Sequence, residues 1–130
     1  MEIVNIRPDQ CLPILKGPSE VKLLGLVDFF TKGKYGMLEP VDLFRTPDGL
    51  YVPDGNHRLV LAQYFGGVQL RANLFDKEDM YRSSSGQKVT VEELIPRYRQ
   101  YRQVTIDMGF TTFEEVATYA FGSARSTIPV

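Results

Sequence analysis

Apolar positions change their spacing several times along the chain, and each change marks an element. Glu2-Ile3-Val4-Asn5-Ile6 alternates as a short edge strand does, and a loop containing Pro8 and Pro13 then runs to Pro18. Behind Ser19, a good N-cap, Leu23, Leu24, Leu26, Val27, Phe29 and Phe30 recur at helical spacing, and Gly33 and Gly36 end the run. Met37 to Phe44 fits a strand, with Pro40 placing it at a sheet edge or a strand start. Thr46-Pro47-Asp48-Gly49 is turn chemistry, so Leu50-Tyr51-Val52 returns as the second arm of a hairpin.

A helix over about 56–65 points Leu59, Ala62 and Tyr64 or Phe65 inward and closes at Gly66-Gly67. Val68, Leu70, Ala72 and Leu74 then alternate with Gln69, Arg71 and Asn73 as a further strand. The polar stretch 76–89, with Ser83-Ser84-Ser85-Gly86, reads as a mobile loop or lid. Thr90-Val91-Glu92-Glu93 opens a helix that Pro96 either bends or restarts and that Gly109 stops. Thr112-Phe113-Glu114-Glu115 opens a last one, stopped by Gly122 and followed by a loose tail, Ser123–Val130. The expected fold is α+β: a small mixed β-sheet with packed helices and a helical C-terminal third. One domain covers 1–130, with a core over 1–75, the loop 76–89 and a helical extension over 90–122.

Composition narrows the class. Apolar residues make up 43% and charged residues 24%, close to soluble globular averages, and the formal charge of -1 argues against a protein that coats nucleic acid electrostatically. No window reaches the roughly 18 consecutive apolar residues that span a bilayer, so no membrane partner is expected. Met1–Gln10, carrying Glu2, Arg7 and Asp9, does not read as a signal peptide. Cys11 is the only cysteine, which excludes an internal disulfide and a cysteine-based zinc site and makes the cytoplasm the natural compartment.

The chemistry gathers at Asp54-Gly55-Asn56-His57-Arg58, where a strand turns into a helix and the only histidine lies. Free N–H groups at a helix start, beside two basic side chains, suit an anion or phosphate. In that reading Asn56 caps the helix, Gly55 lets backbone approach the ligand, Arg58 clamps oxygens and His57 binds anion or shuttles a proton. Asp54 ligates Mg²⁺ or acts as a base. The alternative is a good turn and cap with Arg58 in a surface ion pair. Arg97, Arg99, Tyr101 and Arg102 offer a basic, aromatic surface for DNA or a protein partner, set against a solvated helix face whose tyrosines pack inward. Phe110, Phe113, Tyr119 and Phe121 either close the core or form a homodimer surface.

Leu50 to Phe65 resembles the ParB/sulfiredoxin-like superfamily, in which a hairpin leads into Gly-x-x-Arg at a helix start, and the order of elements over about 1–75 is similar too. Asp54-Gly55-Asn56-His57-Arg58 is closest to the free-serine kinase branch and to ParB-like proteins sharing Asp-Gly-Asn-His-Arg. It differs from the Gly-Glu-Arg-Arg of partitioning ParB domains, and Asn56 stands where sulfiredoxins have their catalytic cysteine. The resemblance implies a nucleotide (ATP or CTP) or phosphate at Gly55, Asn56, His57 and Arg58. It further implies Mg²⁺ on Asp54 and phosphoryl transfer or nucleotide hydrolysis, with Asp54, His57 and Glu39 as catalytic candidates. Glu39 would activate an acceptor hydroxyl or a water, unless it is an ordinary edge-strand carboxylate. The competing expectation is a DNA-associated or regulatory module, or a nuclease, without nucleotide turnover.

Overall fold

The computed structural model describes residues 1–122, so the tail 123–130 lies outside the described residues. Four of the apolar runs become one mixed sheet, built from β1 (Glu2–Ile6), β2 (Val41–Thr46), β3 (Gly49–Asp54) and β4 (Leu70–Phe75). Their order is β1-β4-β2-β3, antiparallel at both outer pairs and parallel between β4 and β2. The element order adds α1 (Glu20–Thr31), α2 (Asn56–Tyr64), β5 (Met80–Arg82), β6 (Lys88–Thr90), α3 (Val91–Asp107) and α4 (Phe113–Phe121). The protein is thus α+β, with a small mixed sheet and helices packed on it.

Alternation decides which face each residue buries. Val41, Leu43, Val52, Leu70, Ala72 and Leu74 join a core with Leu23 and Phe30 of α1, Leu59 and Ala62 of α2, and Phe113 and Val116 of α4. Phe44 and Tyr51 point to the other face, under Val91, Leu94 and Tyr98 of α3 and Tyr81 of β5. Phe110 and Phe113 are buried and Phe121 stacks on Tyr64, so three of the C-terminal aromatics close the core, while Tyr119 stays 70% exposed.

Several expectations change. Met37 ends a 3₁₀ turn, Tyr35–Met37, and the strand begins only after Pro40, whose missing N–H suits the position before a strand. That strand is interior, not at an edge. Residues 76–89 hold most of an antiparallel hairpin, β5–β6, in place of a loop. Tyr81 anchors it, edge-on to Phe44 and Phe75, with its hydroxyl donating to Asp42 Oδ2 (2.7 Å). Pro96 neither restarts nor divides α3, which runs continuously over Val91–Asp107.

The edge strand β3 carries a bulge. Asp42 pairs with Asp54 but Phe44 with Tyr51, so β3 has one residue more than β2 around Val52-Pro53, where proline withholds a ladder donor without harm. The chain then turns at Gly55 (φ +108) into α2. A Cβ on Gly55 would stand 2.5 Å from Val41 Cγ1, so the turn needs glycine both for its left-handed backbone and for space.

The long loop before α1 is held by polar side chains from elsewhere. Asn56 Oδ1 accepts the Ile14 N–H (2.9 Å) and its Nδ2 donates to Val52 O (2.9 Å). Thr105 Oγ1 accepts from Leu15 N–H (2.9 Å). Arg102 is buried and donates to the carbonyls of Pro13 (2.9 Å), Phe110 (3.2 Å) and Thr111 (2.8 Å), tying α3 to that loop and to the start of α4.

Two substitutions follow from these contacts. Gly55→Ala should destabilise by about 2–4 kcal/mol through strain and overpacking against Val41. Arg102→Met should cost about 2–4 kcal/mol because three carbonyls lose their donors. Urea unfolding checks both, and a change within about 0.5 kcal/mol for either would contradict the packing described.

Candidate functional site

Strand β3 delivers Asp54 to the end of the sheet, Gly55 turns the corner, and α2 begins with Asn56. The first amide of α2 to find a backbone acceptor is that of Leu59, which donates to Gly55 O (3.1 Å). The amides of Asn56, His57 and Arg58 are therefore the unpaired donors that every helix start leaves over. These residues line a cavity of about 430 Å³, with Asp54 through Arg58 on one side and Lys22, Gly25 and Leu26 of α1 on the other.

Most side chains of the motif are already engaged by the protein itself. Asn56 is not the cap; Gly55 holds that position, and the Asn56 amide turns inward because a buried amide must satisfy both of its ends. Arg58 Nη1 donates to the carbonyls of Glu39 and Pro40, fastening the segment before β2, and Nη2 donates to Asp54 Oδ2 (3.3 Å). The His57 ring accepts the Ser19 N–H on Nε2 (2.9 Å), so its proton sits on Nδ1. Ser19 in turn caps α1, its side chain accepting from the Lys22 amide. Burial first, and then the Lys22 charge, hold the His57 pKa below its ordinary value.

Lys22 was missed in the sequence because it lies outside the motif, one turn into a helix that reads as apolar. It lines the cavity and enters no ion pair among the described residues. Gly25 follows one turn later, and a Cβ there would meet nothing within 4 Å. A mid-helix glycine with open space around it costs about 1 kcal/mol against alanine and leaves that wall of the cavity bare. The only sequence signal for either residue was that odd glycine.

Glu39 is not brought to this cavity. Only its carbonyl meets Arg58; the residue lines a separate cavity of about 560 Å³ with Asn5, Gln69 and Arg71. Arg71 Nη2 donates to the Gly36 carbonyl (3.3 Å), so the segment before β2 is gripped by a guanidinium from each side. Asp54 is the one carboxylate lining the first cavity, and it is paired with Arg58. Among the described residues no group of three or more His, Cys, Asp or Glu side chains could hold a metal ion. A magnesium ion at this cavity would therefore have Asp54 as its one carboxylate, and no chemical step is assigned to one.

Arg102 drops out of the basic, aromatic surface because it is buried, and Tyr98 packs edge-on against Phe44, while Arg97, Arg99 and Tyr101 stay exposed, Arg99 paired with Asp48 (2.9 Å). Cys11 is buried and its thiol is pushed up to about 12, by burial and then by Asp9, so it is no nucleophile. No helix of the described residues is long and apolar enough to cross a membrane. Comparison with protein-family models gives no match, and comparison with curated protein sequences gives none.

Because the folded pKa of His57 lies below the unfolded value, the unfolded chain binds the extra proton more readily. The contribution of His57 to stability is complete above the ordinary 6.5 and is lost as pH falls through the folded pKa. With one histidine in the chain, an NMR titration of its ring protons reads this directly. A midpoint below 6.5 is expected; one at or above it contradicts the burial of the ring beside Lys22.

Proposed function

We propose that this chain is a ParB/sulfiredoxin-like domain that binds the phosphate of a small molecule, such as a nucleotide, in the cavity between α1 and the start of α2. One observation carries the reading: Asn56, His57 and Arg58, whose amides have no acceptor, line the same cavity as Lys22, a cation with no ion-pair partner among the described residues. Oriented N–H groups and the positive end of a helix favour an anion there, and a neighbouring ammonium adds to that pull. The resemblance over Leu50 to Phe65 supports the same site, and the cavity of about 430 Å³ has room for more than a bare phosphate.

The role assigned to each group differs from the motif's first reading. The amides and Lys22 hold the anion, Asn56 and the Nη1 end of Arg58 hold the corner in shape, Nη2 of Arg58 faces Asp54, and His57 holds α1 in place. Turnover is not part of the proposal. Nε2 of His57 is occupied, Glu39 serves another cavity, and Asp54 is paired with Arg58, so no side chain lining the site is poised as a free base. The DNA-binding alternative loses Arg102, which is buried, and no further observation favours it.

Calorimetric titration with phosphate, pyrophosphate, ATP and CTP, with and without Mg²⁺, tests the proposal. Binding is expected for at least the phosphate-bearing ligands, weakened about fivefold or more by Lys22→Gln while the melting temperature is kept. Failure of every ligand to bind would end the reading.

A further inference from the structure

We propose that Asp54 is an internal competitor for this site, a carboxylate that sits on the cationic wall until an incoming anion displaces it. The inference rests on the anion-binding reading above and concerns how that site selects its ligand. Arg58 spends Nη1 on the carbonyls of Glu39 and Pro40, so Nη2 is the end of the guanidinium that faces a choice, and Asp54 Oδ2 lies 3.3 Å from it. The two partners are not equally fixed. The Asp54 side chain is 65% exposed and that of Arg58 only 14%, so the carboxylate can turn into water while the guanidinium stays.

Beyond the favourable placement of a carboxylate before a helix N-terminus, the turn itself does not require an aspartate here. Asp54 does not cap α2, because Gly55 holds that position with no side-chain cap bond, and the bulge and left-handed turn need only the backbone. Its one hydrogen-bonding partner among the described side chains is Arg58. As the only carboxylate lining the cavity, it offsets one of the two positive charges that Lys22 and Arg58 place there.

A consequence for ligand class follows. A singly charged ligand merely replaces the carboxylate and gains little. A doubly charged one, a phosphate monoester or a terminal phosphate, gains from both cations after displacing it. The site thereby favours phosphate monoesters over carboxylates and phosphodiesters.

The experiment compares the native chain with Asp54→Asn, using inorganic phosphate, pyrophosphate and the monoanionic diester dimethyl phosphate as probes in calorimetry at fixed ionic strength. Glu20→Gln, at an exposed position of α1 outside the cavity lining, controls for net charge. Asp54→Asn should bind phosphate about fivefold more tightly and should gain measurable affinity for the diester, with Glu20→Gln near the native value. Equal or weaker phosphate binding by Asp54→Asn overturns the inference and returns Asp54 to the ligand's side. An equal gain in Glu20→Gln also overturns it, because net charge alone then suffices. If neither the native chain nor Asp54→Asn binds phosphate, the anion-binding reading itself fails and takes this inference with it. Binding by Asp54→Asn alone supports it.

Discussion

The backbone of Gly55 lies against Val41, and the architecture of the site depends on that contact. With no Cβ to hold the chains apart, the end of β3 closes on the start of β2, and α2 begins at the end of the sheet. The close approach carries the Asn56 amide inward to Ile14, brings Arg58 over the carbonyls before β2, and sets His57 under Ser19. The loop before α1, the segment before β2 and α1 itself are all positioned from this one corner. Any larger residue would have to displace β2, which is interior to the sheet and has no room to move.

Under the proposed function such a corner would serve structure and binding at once, and the two uses would compete for the same side chains. A buried or half-buried amide, imidazole or guanidinium is costly unless it is paired, so groups that look like ligand contacts in a sequence are the first to be taken up by the chain's own carbonyls and amides. Here Asn56, His57 and Arg58 are taken up in that way. The backbone amides cannot be, because geometry denies the first turn of a helix its acceptors. The donors open to a ligand are therefore those the motif supplies through its backbone, joined by a lysine from a different helix.

Much of this fold was readable because turns and caps are local. Thr46-Pro47-Asp48-Gly49 makes the hairpin, Ser19 and Thr112 cap their helices, and Gly122 ends the last one. The β5–β6 hairpin was not readable. Its strands are three residues each and only half apolar, and what orders them is Tyr81 docking on Phe44 and Asp42, partners far away in sequence. Arg102 looked like surface beside Arg99 and Tyr101, yet the carbonyl of distant Pro13 and those of Phe110 and Thr111 just past α3 draw it inside. Motif position was readable, whereas side-chain roles were not: Asn56 suits a cap by propensity, but a left-handed glycine before it takes the cap and frees the amide to face inward.

The central claim is that an anion sits on the amides at the start of α2 with Lys22 beside it. The most direct measurement is an amide-resolved NMR titration of the isotopically labelled chain with inorganic phosphate. Saturable shifts concentrated on the amides of Asn56, His57 and Arg58 and on Lys22 and Gly25 are predicted. Unchanged resonances at these positions, or shifts centred on another part of the molecule, would contradict it.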